Sequence, residues 1–357
     1  MLVISLKASS CVRSLSVESE CKKCEVICPT NAIVVGENPL PVINHSMCVT
    51  CGACNAVCPN ESFRYKDFNT TDFFFDFLED EESNLISCKK NIPCIAALSV
   101  EHIISLTVFK KEIVFDMGHC EGCNIAHSCY PQILKNYEEA SYLLEAMENK
   151  SLIKLENICF KPVDKSEDRR AFLSAFKPKT LGKIKRNFEN EVKKASDELR
   201  EYTLEKIDIM LLKKKLLPKK RKLFFSAIKR VIKPSQFHVV DATEVSFTSQ
   251  KIIDEDSCTA CQICYRVCPT GALTSDITNS KIDFDPFMCI KCNICHDVCE
   301  PNAITLSNSY NVKEFFKPEV QNLIEFNVLR CHECNMIFST NGTEQICDRC
   351  KVNRLLA

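Results

Sequence analysis

The chain has no tryptophan, only seven glycines in 357 residues, and nowhere an apolar run approaching the roughly 18 residues of a membrane span. Each absence removes a class of function. With so few glycines, and neither G-x-G-x-x-G nor G-x-x-x-x-G-K-[ST], there is no phosphate-cradling turn for a dinucleotide or nucleoside triphosphate. No H-E-x-x-H is present, and no serine, histidine and acid stand in a triad setting. Charge is near balance, 46 basic against 47 acidic residues, which argues against a nucleic-acid partner. Residues 1–11 read as a short strand broken by Lys7, without the basic and apolar regions of a secretory signal, so a cytoplasmic protein is expected.

What is abundant is cysteine, with 26 residues. In a reducing compartment cysteines at this density are metal ligands before they are disulfides. Length suggests two or three domains, and is sufficient for a core that needs no disulfide staples. The cysteines group at two rich poles (11–58 and 258–299), a looser middle (Cys88, Cys94, Cys120, Cys123, Cys129, Cys159) and a terminal pair of knuckles. CEVICPTNAIVV (24–35), CNAVCPNESF (54–63), CYRVCPTGALTS (264–275) and CHDVCEPNAITL (295–306) are four copies of one unit, two to each pole, so the poles read as a duplication. In each copy the last cysteine is followed by a turn, and in three an Ala-Ile or Ala-Leu step leads into a strand.

The run C-x2-C-x2-C-x3-C-P resembles that of the bacterial two-cluster [4Fe–4S] ferredoxins, over about a third of the chain. In that family three thiolates wrap one cubane and the fourth ligates the partner cluster. The resemblance implies Cys258, Cys261, Cys264 and Cys299 on one cluster and Cys289, Cys292, Cys295 and Cys268 on the other. In the first pole it implies Cys48, Cys51, Cys54 and Cys28 together, and Cys11, Cys21, Cys24 and Cys58 together. Two departures stand out. Nine residues, VRSLSVESE, separate Cys11 from Cys21 where the family has two, so this segment loops out and Cys11 is either a ligand or an unused thiol beside a three-iron or water-exposed site. Glu300 follows Cys299 in place of proline, which bears on the turn and, through its charge, would lower the potential. Tetrahedral zinc also uses C-x2-C pairs, but has little use for cysteines at i, i+3, i+6 and i+10, a spacing that occurs intact three times here.

The tail, Cys331, Cys334, Cys347 and Cys350, reads C-x2-C-x12-C-x2-C and resembles a zinc ribbon. A rubredoxin-like iron site is the alternative; its usual glycines are replaced by Asn335 and Lys351, and His332 reads as a bystander. In the middle, an apolar helix follows Cys94 and carries Ile95, Leu98, His102 and Leu106, and a strand ends at Cys120 and Cys123. Cysteines so placed loosely resemble small iron–sulfur subunits accompanying some hydrogenases and heterodisulfide reductases. That resemblance implies a [2Fe–2S] cluster on Cys88, Cys94, Cys120 and Cys123; inert buried thiols and a redox-active thiol pair are the other readings. Cys129 and Cys159 read as structural, and His119 and His127 as surface or strand-end residues.

Residues 161–233 hold 23 basic and 10 acidic residues. Ile184, Phe188, Val192, Ala195, Leu199 and Tyr202 give an amphipathic helix, and 213–233 carries ten basic residues and no acid. The segment reads either as a helical linker with a solvated face, docked on the acidic stretch 72–82, or as a docking surface for an acidic partner or an anionic membrane face.

The expected architecture is α+β. It comprises a dicluster module (1–68), a cysteine-containing α/β region (69–160), a basic helical segment (161–240), a second dicluster module (241–312) and a zinc-ribbon-like tail (325–357). The expected function is that of a non-catalytic subunit or carrier of anaerobic metabolism, relaying single electrons through four [4Fe–4S] clusters, with one zinc in the tail. By resemblance the partner is an oxidoreductase of formate dehydrogenase, hydrogenase or heterodisulfide-reductase type. An enzyme using the middle cysteines on a small substrate, and a maturation or scaffold protein, are the alternatives.

Overall fold

The computed structural model describes residues 3–161 and 215–356, so the helix expected over 184–202 lies outside the described residues. The chain forms two compact units. The first takes in Met1–Ser14, Lys22–Arg200 and Pro218–His238; the second Leu15–Cys21, Glu201–Leu217 and Val239–Ala357.

The first unit opens with β1 (Ile4–Leu6), α1 (Lys23–Val26), β2 (Ile33–Val34), β3 (Val42–Ile43), α2 (Ala53–Val57) and β4 (Phe63–Tyr65). β1 pairs antiparallel with β4, and β2 with β3. Strands this short cannot stand alone. Their inward residues Ile4, Ile33 and Phe63 are buried with Ala53 and Ala56 of α2, and that shared interior holds the ribbons in place.

The middle region follows: α3 (Thr70–Glu79), β5 (Leu85–Ile86), α4 (Val100–Lys110), β6 (Glu112–Asp116), α5 (Ala126–Ala146) and β7 (Leu152–Glu156). The three strands are parallel in the order β5-β6-β7. β6 is central and reads as an unbroken apolar run, Ile113-Val114-Phe115, as a strand covered on both faces must. The helix expected directly after Cys94 starts later. Residues Ile95–Ala97 make a single 3-10 turn, and α4 is nucleated by Ser99, whose hydroxyl caps the His102 amide while His102 Nδ1 accepts from the Ser99 amide.

α6 (Lys219–Ile228) packs on α4 through Leu223, Phe224, Ala227 and Ile228. It revises the reading of the basic segment as a solvated face. Lys220 and Arg221 are buried, Arg221 Nε donating to Glu101 Oε1 at 2.7 Å and Lys220 Nζ lying 3.6 Å from Glu101 Oε2. The Lys220 amide donates to Glu61 at 3.0 Å. Glu101 and Glu61 are therefore among the acids that receive this helix.

His102 is 1% exposed on α4. Burial, then the Lys220 charge, hold its imidazole near 3, against 6.5 in an open chain. Between those values the unfolded chain binds the proton and the folded one does not, so stability present above about 6.5 is lost as pH falls toward 3. His102→Gln is expected to flatten that dependence. The urea concentration that bleaches the anaerobic protein, compared at about pH 6.5 and about pH 5, checks this; an equal slope in both proteins would contradict it.

The second unit contains β8 (Val239–Asp241), β9 (Lys251–Ile253), α7 (Ile263–Arg266), β10 (Leu273–Thr274), β11 (Lys281–Phe284), α8 (Ile294–Asp297) and β12 (Ile304–Leu306). It continues with β13 (Ser309–Asn311), α9 (Lys313–Phe316), β14 (Gln321–Glu325), β15 (Asn327–Arg330), β16 (Ile337–Thr340) and α10 (Asp348–Leu356). β9 pairs with β12 and β10 with β11, the pairing of β1 with β4 and β2 with β3 repeated. β14 extends the β10-β11 ribbon, β13 pairs with β8, and β15-β16 is a separate hairpin. From Leu15 the segment preceding Cys21 belongs to this unit, the Glu20 amide donating to the Asp297 carboxylate at 3.0 Å. Among the described residues no helix is long and apolar enough to cross a membrane.

Candidate iron–sulfur and metal centres

The four copies of the repeat share a backbone device. Asn31, Glu61, Gly271 and Asn302 each stand three residues past the last cysteine of their copy, and all four adopt positive φ, at 51°, 47°, 77° and 53°. Asn and Gly are the residues that tolerate this region. The turn at Asn302 therefore forms although Glu300 occupies the usual proline position. A second device precedes the third cysteine. Thr50 and Gly52, Ala260 and Gln262, and Lys291 and Asn293 flank Cys51, Cys261 and Cys292 with positive φ on both sides. Such a left-handed pair curls three successive cysteines around one point. The copy at Cys21 lacks it, since Lys22 has φ −125°, in keeping with the nine-residue insertion before it.

In the second unit the outcome is two cavities. One, small, is lined by Cys268, Cys289, Cys292 and Cys295 with Leu273 and Phe284. The other, of similar size, is lined by Cys258, Cys261, Cys264 and Cys299 with Ile253 and Ile304. Each gathers three cysteines of one copy and the last cysteine of the other. Burial pushes the Cys295 thiol up to about 12, against the pull of Lys251. Lys251 is 4% exposed, hydrogen-bonds the Cys295 sulfur and donates to His296 Nε2 at 2.8 Å. Burial alone would lower this ammonium; the Cys289, Cys295 and Cys292 sulfurs keep it above its ordinary value. His296 is held near 4 by burial and Lys251, so its ring is a neutral acceptor. Lys215 Nζ donates to the Tyr265 carbonyl at 2.7 Å and lies near Cys264 and Cys268.

Amides reach the sulfurs as well. Cys28 accepts from the Ala32 amide at 3.2 Å, Cys58 from Ser62 at 3.3 Å and Cys268 from Leu273 at 3.5 Å. Donors of this kind stabilise charge on a metal-bound sulfur and raise a cluster's potential.

In the first unit Cys48 lies near Cys51 and Cys28, and Cys54 near Cys51, Cys24 and Cys48. Burial raises the Cys54 thiol, opposed by the Tyr65 hydroxyl 2.8 Å from its sulfur. Cys11 is buried, and the preceding Ser10 carbonyl accepts from Asn60 Nδ2 at 2.9 Å, which ties it to the turn after Cys58. Cys21, half-buried, ends the segment assigned to the second unit. Lys220 Nζ donates to the carbonyls of Ala56 and Cys58 at 3.1 and 2.7 Å, a buried cation at this end of the module.

The middle cysteines converge at the carboxyl end of the parallel sheet, the end where open α/β sheets receive ligands. Cys88 follows β5 and Cys120 and Cys123 follow β6. Cys120 is raised to about 11, chiefly by burial and then by Cys94, Cys88 and Cys123 around it. Asp116 anchors the rim: its carboxylate accepts from the Ser87 hydroxyl and from the Gly118, Cys159 and Phe160 amides at 2.9 to 3.1 Å. Burial would raise this carboxyl, but those donors, Phe160 first, hold it below the usual range. Cys129, expected to be structural, is buried beside Cys51 and Cys94, and its thiol is the chief influence lowering both, Cys51 to about 7. His119 Nε2 and His127 Nε2 lie 2.8 and 3.1 Å from the carbonyls of Phe160 and Pro29.

In the tail the sulfurs of Cys331, Cys334, Cys347 and Cys350 all lie within 4.8 Å of one another. Among the described residues this is the cysteine set that closes to single-ion spacing. A tetrahedral ion with sulfurs at about 2.3 Å requires sulfurs about 3.8 Å apart, and Cys334 and Cys347 are 3.7 Å apart. The amides of Cys334 and Cys347 bring the Cys331 thiol down to about 6. Asn335 takes φ 60° in the first knuckle, the conformation for which glycine is otherwise used. His332 is exposed, and its amide, not its ring, makes the contact to Gln345 at 2.9 Å.

Lys251, Lys215, Lys220, Tyr65 and Cys129 carry no signal in the spacing that gives the cysteines away. Each reaches its sulfur or carbonyl through the fold, from a different element.

Two domain families match the chain: the 4Fe-4S dicluster domain at residues 19–62 and the 4Fe-4S binding domain at residues 251–274. One component of the Na(+)-translocating ferredoxin:NAD(+) oxidoreductase complex of Acetobacterium woodii is 44% identical over 36 residues, 10% of this chain and 11% of that protein. A protein named Ferredoxin 7Fe from Hydrogenibacillus schlegelii is 40% identical over 45 residues, 13% of this chain and 56% of that protein. The chain thus spans about a tenth of the first relative and about half of the second.

Proposed function

We propose, from the premise that the chain is a ferredoxin-domain protein with two 4Fe-4S ferredoxin domains, that it relays single electrons through four [4Fe–4S] clusters to or from a partner oxidoreductase. The observation that carries the reading is the pair of cavities in the second unit, each bounded by four cysteines in an apolar wall. By the same crossed pattern Cys28, Cys48, Cys51 and Cys54 hold a third cluster, and Cys11, Cys21, Cys24 and Cys58 a fourth. When bound, these groups supply one-electron couples whose potentials follow charge, hydrogen bonding to sulfur and burial. The chain's part is to hold the thiolates, exclude water, and set a buried cation beside them: Lys251 at Cys295, Lys220 at the Cys58 carbonyl. Cys331, Cys334, Cys347 and Cys350 hold one zinc, and Cys88, Cys94, Cys120 and Cys123 a [2Fe–2S] cluster. The similarity to one component of an oxidoreductase complex supports a partner of that class.

An EPR-monitored reductive titration of the full chain, kept free of oxygen, tests the relay. At least four separable one-electron uptakes are expected. A chain that accepts no electrons, or that turns over a substrate alone, would contradict the proposal. For the tail, Cys334→Ser is expected to release the zinc and leave iron unchanged. Iron lost in step with zinc would refute a separate structural ion.

The second reading, electron delivery to a small substrate at the middle cysteines, is favoured by the exposure of Cys123. It requires that Cys123→Ser abolish turnover with the cubane signals intact; unchanged turnover removes it.

A further inference from the structure

The two cavities of the second unit differ in one charge. Lys251 lines the cavity of Cys268, Cys289, Cys292 and Cys295, whereas the cavity of Cys258, Cys261, Cys264 and Cys299 is walled, its cysteines aside, by uncharged residues. Strand alternation puts the lysine there: on β9 Lys251 and Ile253 are buried and Ile252, between them, is exposed. β9 and β12 repeat the pairing of β1 and β4, and the register identifies the counterpart position. Ile253 stands five residues before Cys258 and pairs with Ile304; Leu6 stands five before Cys11 and pairs with Phe63. Two positions earlier, Lys251 faces Leu306, and Ile4 faces Tyr65. The first module thus has an isoleucine, 1% exposed, where the second has a lysine, 4% exposed. An apolar side chain suits this position in the fold, so the lysine carries a burial cost that something must offset. Its Nζ donates to His296 Nε2 at 2.8 Å. A ring nitrogen that accepts from an ammonium carries no proton, so His296 fixes the head of the lysine without supplying a counter-charge.

We infer that Lys251 is the potential-setting residue of the second unit: it supplies the buried positive charge that lets the site of Cys268, Cys289, Cys292 and Cys295 accept an electron away from water. The inference rests on the reading that this site holds a [4Fe–4S] cluster. A cubane on four thiolates is negative, and reduction adds one more negative charge. Burial opposes that addition, and a cation in the cavity wall favours it by an amount that grows as the local dielectric falls. Cys268, Cys289 and Cys295 are buried, while the other site has an exposed cysteine, Cys261, and water takes the lysine's part there. One electron enters from the donor protein, or from dithionite in the laboratory; no bond is made or broken, and Lys251 keeps its proton. The counter-charge that His296 does not supply is the cluster itself.

The test is an EPR-monitored redox titration of the oxygen-free full chain and of Lys251→Met, Lys251→Gln and Lys251→Arg, with iron and sulfide counted in each. The signal that Cys268→Ser removes identifies the site beside Lys251, and the signal that Cys264→Ser removes identifies the other. In the methionine and glutamine proteins iron stays at the wild-type level and the first signal moves to lower potential. Its reduction equilibrium shifts by about tenfold, about 59 mV for one electron. The second signal stays near its wild-type value, and arginine, which keeps the charge, leaves both in place. No movement of the first signal, or equal movement of both, overturns the potential-setting role. So does loss of about four iron from both the methionine and glutamine proteins, which would make Lys251 a structural residue of the site. A different failure is separable: if Cys268→Ser removes neither iron nor a signal, the site holds no cluster and the inference falls with the reading beneath it.

Discussion

Glu101→Ala is expected to destabilise the first unit by about 3–5 kcal/mol, because it leaves two cations buried without their carboxylate. Glu101 is 1% exposed on α4; Arg221 donates to it at 2.7 Å and Lys220 lies 3.6 Å away, both from α6. Inside the protein such a group cannot be replaced by water, so removal exposes the whole desolvation cost of its partners. The surface pair Lys154–Glu112, with side chains 45% and 36% exposed, is the control: Glu112→Ala should change stability by about 0–1 kcal/mol. The urea concentration at which the anaerobic protein loses its visible absorbance reads both. Equal, small effects would show that α6 is held by its apolar face alone.

The second large effect concerns ligand crossing. Cys268 and Cys289 come from different copies of the repeat but border one cavity, while Cys264 and Cys299 border the other. Cys268→Ser and Cys289→Ser are each expected to abolish the same EPR signal and to remove about four iron per chain. Cys264→Ser and Cys299→Ser should abolish a different one. If Cys268→Ser and Cys264→Ser, neighbours in one copy, instead removed the same signal, the clusters would not be crossed and the two copies would act as separate loops.

The grouping of the candidate cysteines was legible because their spacing is a local property. Cubane geometry demands cysteines at i, i+3 and i+6, and the backbone answers with left-handed residues on either side of Cys51, Cys261 and Cys292. The tail was legible for the same reason, and its sulfurs approach the spacing of a single tetrahedral ion. The middle cysteines were not, because they lie after two different parallel strands and a 3-10 turn, and only the β5-β6 pairing brings them to one rim. Cys129 lay further out of reach: nothing in its spacing connects it to Cys51, 78 positions away, until α5 packs against the first module. The burial of two cations of the basic segment was not legible, for a physical reason. Ten cations without an acid look like a docking face, yet the two on the inner side of α6 find Glu101 and Glu61 from distant elements. The helix after Cys94 began late because Ser99, with His102 three residues on, supplies the cap.

The most direct measurement is a count of iron, acid-labile sulfide and zinc per polypeptide in protein never exposed to air. Four cubanes, one two-iron centre in the middle and one tail ion predict about 18 iron, about 18 sulfide and one zinc. Little iron with several zincs would contradict the account at its centre, since the cysteine sets would then be closed structural sites with no electron to pass.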